Sequence, residues 1–167
     1  MERVDGLHGI ARLSFVTARM EIRPGSDADL AALVAVLGQR HFFTDRLARQ
    51  QGGGGVLLVA WLGGRPVGDG FLVCEPAEEP KVRRHLPGVP QLTHLEVLGP
   101  LQGRGSGTAL IRAAEDTARQ LGHEQLALGV GLVTRTLGGC MSGSGMWTGA
   151  KGLLWGPGWS ATVMGRR

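Results

Sequence analysis

The chain has no tyrosine, and aromatic residues make up only 5% of its 167 residues. So few aromatics, with no basic stretch woven among them, argue against a surface that stacks nucleic-acid bases. Cysteine is scarce too. Cys74 and Cys140 form no Cys-x-x-Cys pair and no ligand cluster with the five histidines. No metal is therefore expected, and a reduced, cytoplasmic protein is. No apolar run approaches the length of a membrane span, so no membrane partner is expected. The start, Met1-Glu2-Arg3-Val4-Asp5, lacks the basic-then-apolar order of a secretory signal. Acidic residues run out early: all 14 lie at or before Glu124, as do 14 of the 18 Lys and Arg. The formal charge of +4 is carried by Arg135, Lys151, Arg166 and Arg167. The pI near 10.0 thus describes one odd C-terminal segment, and no nucleic-acid partner is expected from it.

What is present suits one α/β domain with a real core. Residues 1–19 show no clean period and read as an extension; Met20 is a candidate start. Met20 to Pro24 reads as a short strand. Ser26 and Asp29 form an acidic variant of a capping box. Leu30, Leu33, Val34 and Leu37 then trace a helical stripe that Gly38 is placed to end. A second helix is expected from Thr44 to Gln51. Val56–Leu62 and Pro66–Cys74 read as strands joined by a Gly63-Gly64 hairpin turn. Residues 75–90, with four prolines and mixed charge, read as a loop.

The stretch from Leu92 to Leu110 organises the rest. Leu92 to Leu98 alternates like a strand. Gly103, Gly105 and Gly107 follow, and glycines let a backbone turn tightly and approach a ligand. A helix comes next, with Leu110, Ile111, Ala114, Ala118 and Leu121 on one face and Gly122 as its stop. A helix start offers unpaired amides and the positive end of its dipole to an anion. The bottom-up reading is a pyrophosphate site at a strand end; the plain alternative is a glycine-rich turn with no ligand. Gln125 to Gly131 is the next strand. The expected order is β-α-α-β-β-β-α-β.

That order, and the run from Leu92 to Gly131, resembles the GNAT superfamily of acetyl-CoA-dependent N-acetyltransferases. The family's loop motif, Gln/Arg-x-x-Gly-x-Gly/Ala, stands here as Gln102-Gly103-Arg104-Gly105-Ser106-Gly107. His94-Leu95-Glu96-Val97 before it and Thr108-Ala109-Leu110-Ile111 after it also fit. A dinucleotide fingerprint fails on its third glycine, and a nucleotide-triphosphate loop would need Lys-Ser/Thr where this chain has Thr108-Ala109.

The resemblance implies a mixed, mostly antiparallel central sheet flanked by helices, spanning residues 20–132. It implies acetyl-CoA as cosubstrate and a primary amine of a small molecule or peptide as acceptor. A homodimer is the assembly considered. Gln102, Gly103, Arg104, Gly105, Ser106, Gly107 and Thr108 would form the cofactor cradle, with the backbone of Val97 and Leu98 pairing with the pantetheine arm. A substrate amine must lose a proton before it attacks. Strand period puts His94 and Glu96 on one side, opposite Leu95 and Val97. Glu96 is the first candidate base and His94 the second. Both also fit a wet strand face, and Arg104 fits either a cofactor phosphate or solvent.

After Leu132 the resemblance requires a helix of the type Asn-x-x-Ala-x-x-Leu-Tyr, whose tyrosine protonates the leaving thiolate. Here residues 133–167 are rich in glycine and tryptophan, lack acids and lack helical period, so an irregular C-terminal region is expected. The genetic code offers a reason. Read one frame over from the third base of the Leu132 codon, permitted codons spell GDPDARRLYERLGYVDWG, which is the missing helix in the right place. One base lost from that codon would account for the shift, and putting it back would restore the helix. The expectation is a frameshifted tail, and the alternative function is a catalytically impaired acyl-CoA-binding module.

Overall fold

The computed structural model describes residues 19–76, 80–131, 151–154 and 159–165. The first strand, β1 (Met20–Pro24), leads into a 3₁₀ turn over Asp27–Asp29. The expected cap forms: the Ser26 amide donates to Asp29 Oδ2 at 2.9 Å. Both terminal nitrogens of Arg23 donate to the same carboxylate at 2.8 Å. That grip holds the Asp29 carboxyl well below the usual carboxylate range. Helix α1 (Leu30–Leu37) follows and stops at Gly38, whose φ of +73° few other residues adopt.

Helix α2 spans Arg40–Gln51, so it starts four residues before the expected Thr44. Gln39 takes a left-handed φ of +54° and turns the chain at once, and the Phe43 amide donates to its carbonyl. The early start places Phe43 with Leu47 on the buried face of α2. Strands β2 (Gly55–Leu62) and β3 (Arg65–Val73) pair antiparallel about Gly63-Gly64, both at positive φ as a tight hairpin of this hand requires.

Where a loop was expected over 75–90, residues Pro80–His85 form a short helix, α3. Pro80 opens it, a position where proline's missing N–H costs nothing. Strand β4 (Gln91–Val97), a 3₁₀ turn at Gly99–Leu101 and helix α4 (Ser106–Gln120) build the central stretch. Gly122 ends α4 at φ +88°. Leu121 therefore falls beyond the helix and is 51% exposed, not on the buried face as expected.

Strand β5 (Gln125–Gly131) is followed by β6 (Lys151–Leu154) and β7 (Trp159–Gly165). The expected order holds, with α3 added and with two strands inside a C-terminal region expected to be irregular. Thr162 and Val163 are residue types that favour extended chain, and β7 lies antiparallel along the whole of β5. Residues 132–150, which include the Val133–Trp147 stretch and Cys140, lie outside the described residues, as do 1–18.

The seven strands run β1-β2-β3-β4-β5-β7-β6. Every neighbouring pair is antiparallel except β4 and β5, so the expected mixed, mostly antiparallel sheet is the one observed. Helix α4 packs on one face, over Leu58, Leu72, Leu92, Leu126 and Leu128. Helices α1 and α2 cover the other, where Leu33, Phe43 and Leu47 meet Leu57, Val59 and Phe71. Among the described residues no helix is long and apolar enough to cross a membrane.

Candidate active site

The site grows from a defect in β4. Asp69 pairs with Glu96, but Phe71 pairs with Thr93, so His94 and Leu95 together face Gly70. This is a β-bulge, with one extra residue on β4. His94 carries the bend at φ +49°, a conformation that His adopts more readily than β-branched residues do. The bulge also resets the alternation. Leu92, Leu95 and Val97 all pack into the core under α4, while His94 turns to the α2 side. A residue-by-residue alternation through Leu92 would have placed Leu92 with His94.

His94 and Glu96 are brought together as expected, with Nε2 and Oε2 3.4 Å apart. The sequence reading missed the third member. Asp69, from β3, lies 3.5 Å from His94 Nε2 through Oδ1. Asp69 is 1% exposed, and its Oδ1 has no hydrogen-bond donor. Burial, with the nearby negative charge of Glu96, pushes its carboxyl up to about 8. Burial pushes His94 down from its ordinary value, an effect that Glu96 opposes and Arg46 adds to. The signal available in the sequence was a lone charge in an otherwise apolar strand between Arg65 and Glu75.

Helix α2 and the turn before it wall the cluster. The Gln39 side-chain amide donates to Glu96 Oε2 at 3.2 Å, which the sharp turn after Gly38 makes possible. The Phe42 ring lies 4.0 Å from the His94 ring, and the Arg46 guanidinium covers Phe42 at 5.0 Å. Neither Gln39, Phe42 nor Arg46 was singled out in the sequence, because contact across 50 residues leaves no local pattern. The donor atoms of Asp69, His94 and Glu96 lie within 4.8 Å of one another. Two carboxylates and an imidazole at this spacing can share a proton, and they also offer the oxygen and nitrogen donors that a divalent cation takes.

The glycine loop lies just past the end of β4. Gly103 and Gly105 sit at φ +71° and +88°, with nothing within 4 Å of where a Cβ would stand. At the start of α4 the Ala109 N–H donates to the Gly105 C=O at 2.9 Å. The amides of Ser106 and Gly107, ahead of it, belong to the turn that a helix cannot satisfy from within. Ser106 Oγ is buried with no hydrogen-bond partner. Open space, left-handed glycines and an orphaned hydroxyl fit an anionic ligand. The side chain of Gln102 donates back to the Val97 carbonyl at 2.9 Å and so ties the loop to the strand. The Leu98 amide is engaged too, donating to Val67.

Beside this loop the sheet opens. Strands β4 and β5 register only at Gln91–Ala127 and Leu92–Leu128, although β4 continues to Val97 and β5 to Gly131. From Thr93 onward β4 has no β5 partner, which leaves a slot for an extended ligand between two parallel strands that diverge.

A bulged β4, a gap between β4 and β5 and a glycine-lined helix start mark a mixed α/β fold. The profile of the acetyltransferase (GNAT) family matches residues 24–134, and the chain belongs to that family of N-acetyltransferases. A search of curated proteins returned no match. Among solved structures, the PaiA N-acetyltransferase of Thermoplasma acidophilum in complex with coenzyme A superposes with a TM-score of 0.67 at 15% identity, over 89% of this chain and 99% of that one. A ribosomal-protein-alanine N-acetyltransferase from Brucella melitensis gives 0.61 at 19% identity, over 87% and 98%. The AAC(6')-Iy structure with a bisubstrate analogue, CoA-S-monomethyl-acetylneamine, gives 0.65 at 14%, over 83% and 97%. At these identities the likenesses speak for the fold.

Proposed function

We propose that the protein transfers an acetyl group from acetyl-CoA to a primary amine of a small molecule or a protein. The observation that carries this reading is the placement of the His94–Glu96 pair on β4, the same strand that borders the slot and runs into the glycine loop. Structural relatives with coenzyme A and with a CoA–amine bisubstrate analogue support it. In this reading Gln102 to Thr108 hold the pyrophosphate, with the helix start supplying amides and dipole. The pantetheine arm lies along the β4 edge from Thr93 to Val97. A backbone N–H on that edge polarises the thioester carbonyl. Glu96, 54% exposed at its side chain and held by Gln39, takes the proton from the incoming amine.

The test is a thermal shift with acetyl-CoA, followed by thiol release on a panel of amines. Stabilisation with turnover is expected, and Glu96→Gln is expected to lower kcat by about 100-fold, at the low end of general-base contributions. Stabilisation without turnover would identify an acyl-CoA-binding module instead, and neither would sink the reading.

We also propose that the residues after Leu132 are read out of frame. The family profile ends at residue 134, two residues past Leu132. Sequencing the coding DNA across Leu132 tests this; codons for Val133 to Trp147 that fail to spell the helix in the shifted frame would end the idea.

A further inference from the structure

Asp69 has no part in the reaction described so far, yet it is the most unusual carboxylate among the described residues. It stands on β3, at 1% exposure, directly opposite Glu96 in the strand register. Its Oδ1 meets no donor. A buried carboxylate without a donor or a cation is costly in its charged form. From the buried Asp69 the neighbouring side chains form a graded path to solvent, His94 at 27% and Glu96 at 54% side-chain exposure. One nitrogen lies between the two carboxylates: His94 Nε2, itself without a hydrogen-bond partner, is 3.5 Å from Asp69 Oδ1 and 3.4 Å from Glu96 Oε2. The bulge makes this possible, because the left-handed turn at His94 aims one ring nitrogen at carboxylates from two strands.

We propose that Asp69 is an internal proton store for the acetyl-transfer site, a positioning residue that acts through His94 by receiving the proton Glu96 removes from the substrate. The proposal rests on the acetyltransferase reading above. An N–H bond of the substrate ammonium breaks and an O–H bond forms on Glu96, which leaves the amine's electron pair free to attack. Glu96 passes that proton to Nε2 of neutral His94, which already carries hydrogen on Nδ1. The imidazolium gives the Nε2 proton to Asp69 Oδ1 and returns to neutral. Glu96 is a carboxylate again, Asp69 is a carboxylic acid, and charge is conserved. After acetyl transfer the attacking nitrogen loses a second proton, which satisfies the departing thiolate. The stored proton leaves by the same path in reverse before the next turnover.

The store works only when Asp69 is ionised at the start of a cycle. Its carboxyl is pushed up to about 8, so the store is filled below that pH and open above it. The charges that bear on the pair are Glu96 from β4, which raises both groups, and Arg46 from α2, which lowers His94. Gln39 and Phe42 face it uncharged.

The experiment follows the His94 ring by NMR in the full chain, labelled with ¹⁵N-histidine, across pH 6 to 10. A second inflection near pH 8 is expected, absent in Asp69→Asn and moved to lower pH in Glu96→Gln. An inflection that persists unchanged in Asp69→Asn, or a wild type without one, overturns the proposal. With an amine that wild type acetylates, kcat/KM is expected to rise through pH 8. In Asp69→Asn it should fall about 10-fold at pH 9 and lose that rise, with KM for acetyl-CoA unchanged. A wild-type profile in the variant overturns the store. Failure of wild type to bind acetyl-CoA or release thiol refutes the acetyltransferase reading, and the NMR arm, which needs no turnover, tells the two failures apart.

Discussion

Asp69 and Asp29 have opposite surroundings, and the two should pull stability in opposite directions along the pH scale. Asp29 accepts two bonds from Arg23 and is held below its ordinary range. Its contribution is present above the unfolded value of about 4 and is lost as pH falls below it. Asp69 is raised to about 8. Between about pH 4 and pH 8 the folded state therefore holds a proton there that the unfolded chain has released, so stability declines as pH rises through that window. Urea midpoints measured from pH 4 to pH 9 should fall through this range in wild type. Asp69→Asn should flatten the decline, because the amide cannot ionise. A slope unchanged by the substitution would mean that Asp69 is ionised in the folded protein at neutral pH.

At the scale of elements, the seam between β3 and β4 is a tight joint. A Cβ on Gly68 would stand 2.7 Å from the Glu96 carbonyl oxygen and 3.2 Å from Val97 Cα, both backbone atoms that cannot swing aside. Gly68→Ala should therefore cost about 1–3 kcal/mol, the usual range for overpacking. It should also impair catalysis beyond that loss, because the strand it displaces carries Glu96. Chemical denaturation together with kcat checks both parts.

The same joint shows what could be read in the sequence and what could not. Glu96 and His94 were legible as one face because their spacing of two survives the bulge. The bulge itself was not, since it depends on whether Leu92 or Thr93 turns to the core, and both choices give plausible strands. Asp69 was visible only as a misplaced charge, since nothing local says that a residue 25 positions away will face it. Pro80 was read as one of four loop prolines, although proline also starts helices. The glycine loop was the most legible part, because positive φ at Gly103 and Gly105 is a demand that few other residues meet.

For the molecule as a whole, the sheet is two blocks. Strands β1 to β4 form one, and β5, β7 and β6 the other; β4 and β5 meet in register at only two residue pairs. Helix α4 bridges them, packing on β1 to β4 and on β5. Such a molecule has a built-in fracture line, and the slot is that line held open. A cosubstrate lying in it would act as a strand the polypeptide does not encode, joining edges that the chain leaves apart. Acetyl-CoA should then do more than occupy a site. Hydrogen exchange should slow at the facing amides of β4 and β5 on both sides of the slot, well beyond the atoms that touch the pyrophosphate. Protection limited to the glycine loop would mean that the ligand rests at the mouth of the slot and leaves the two halves to move independently.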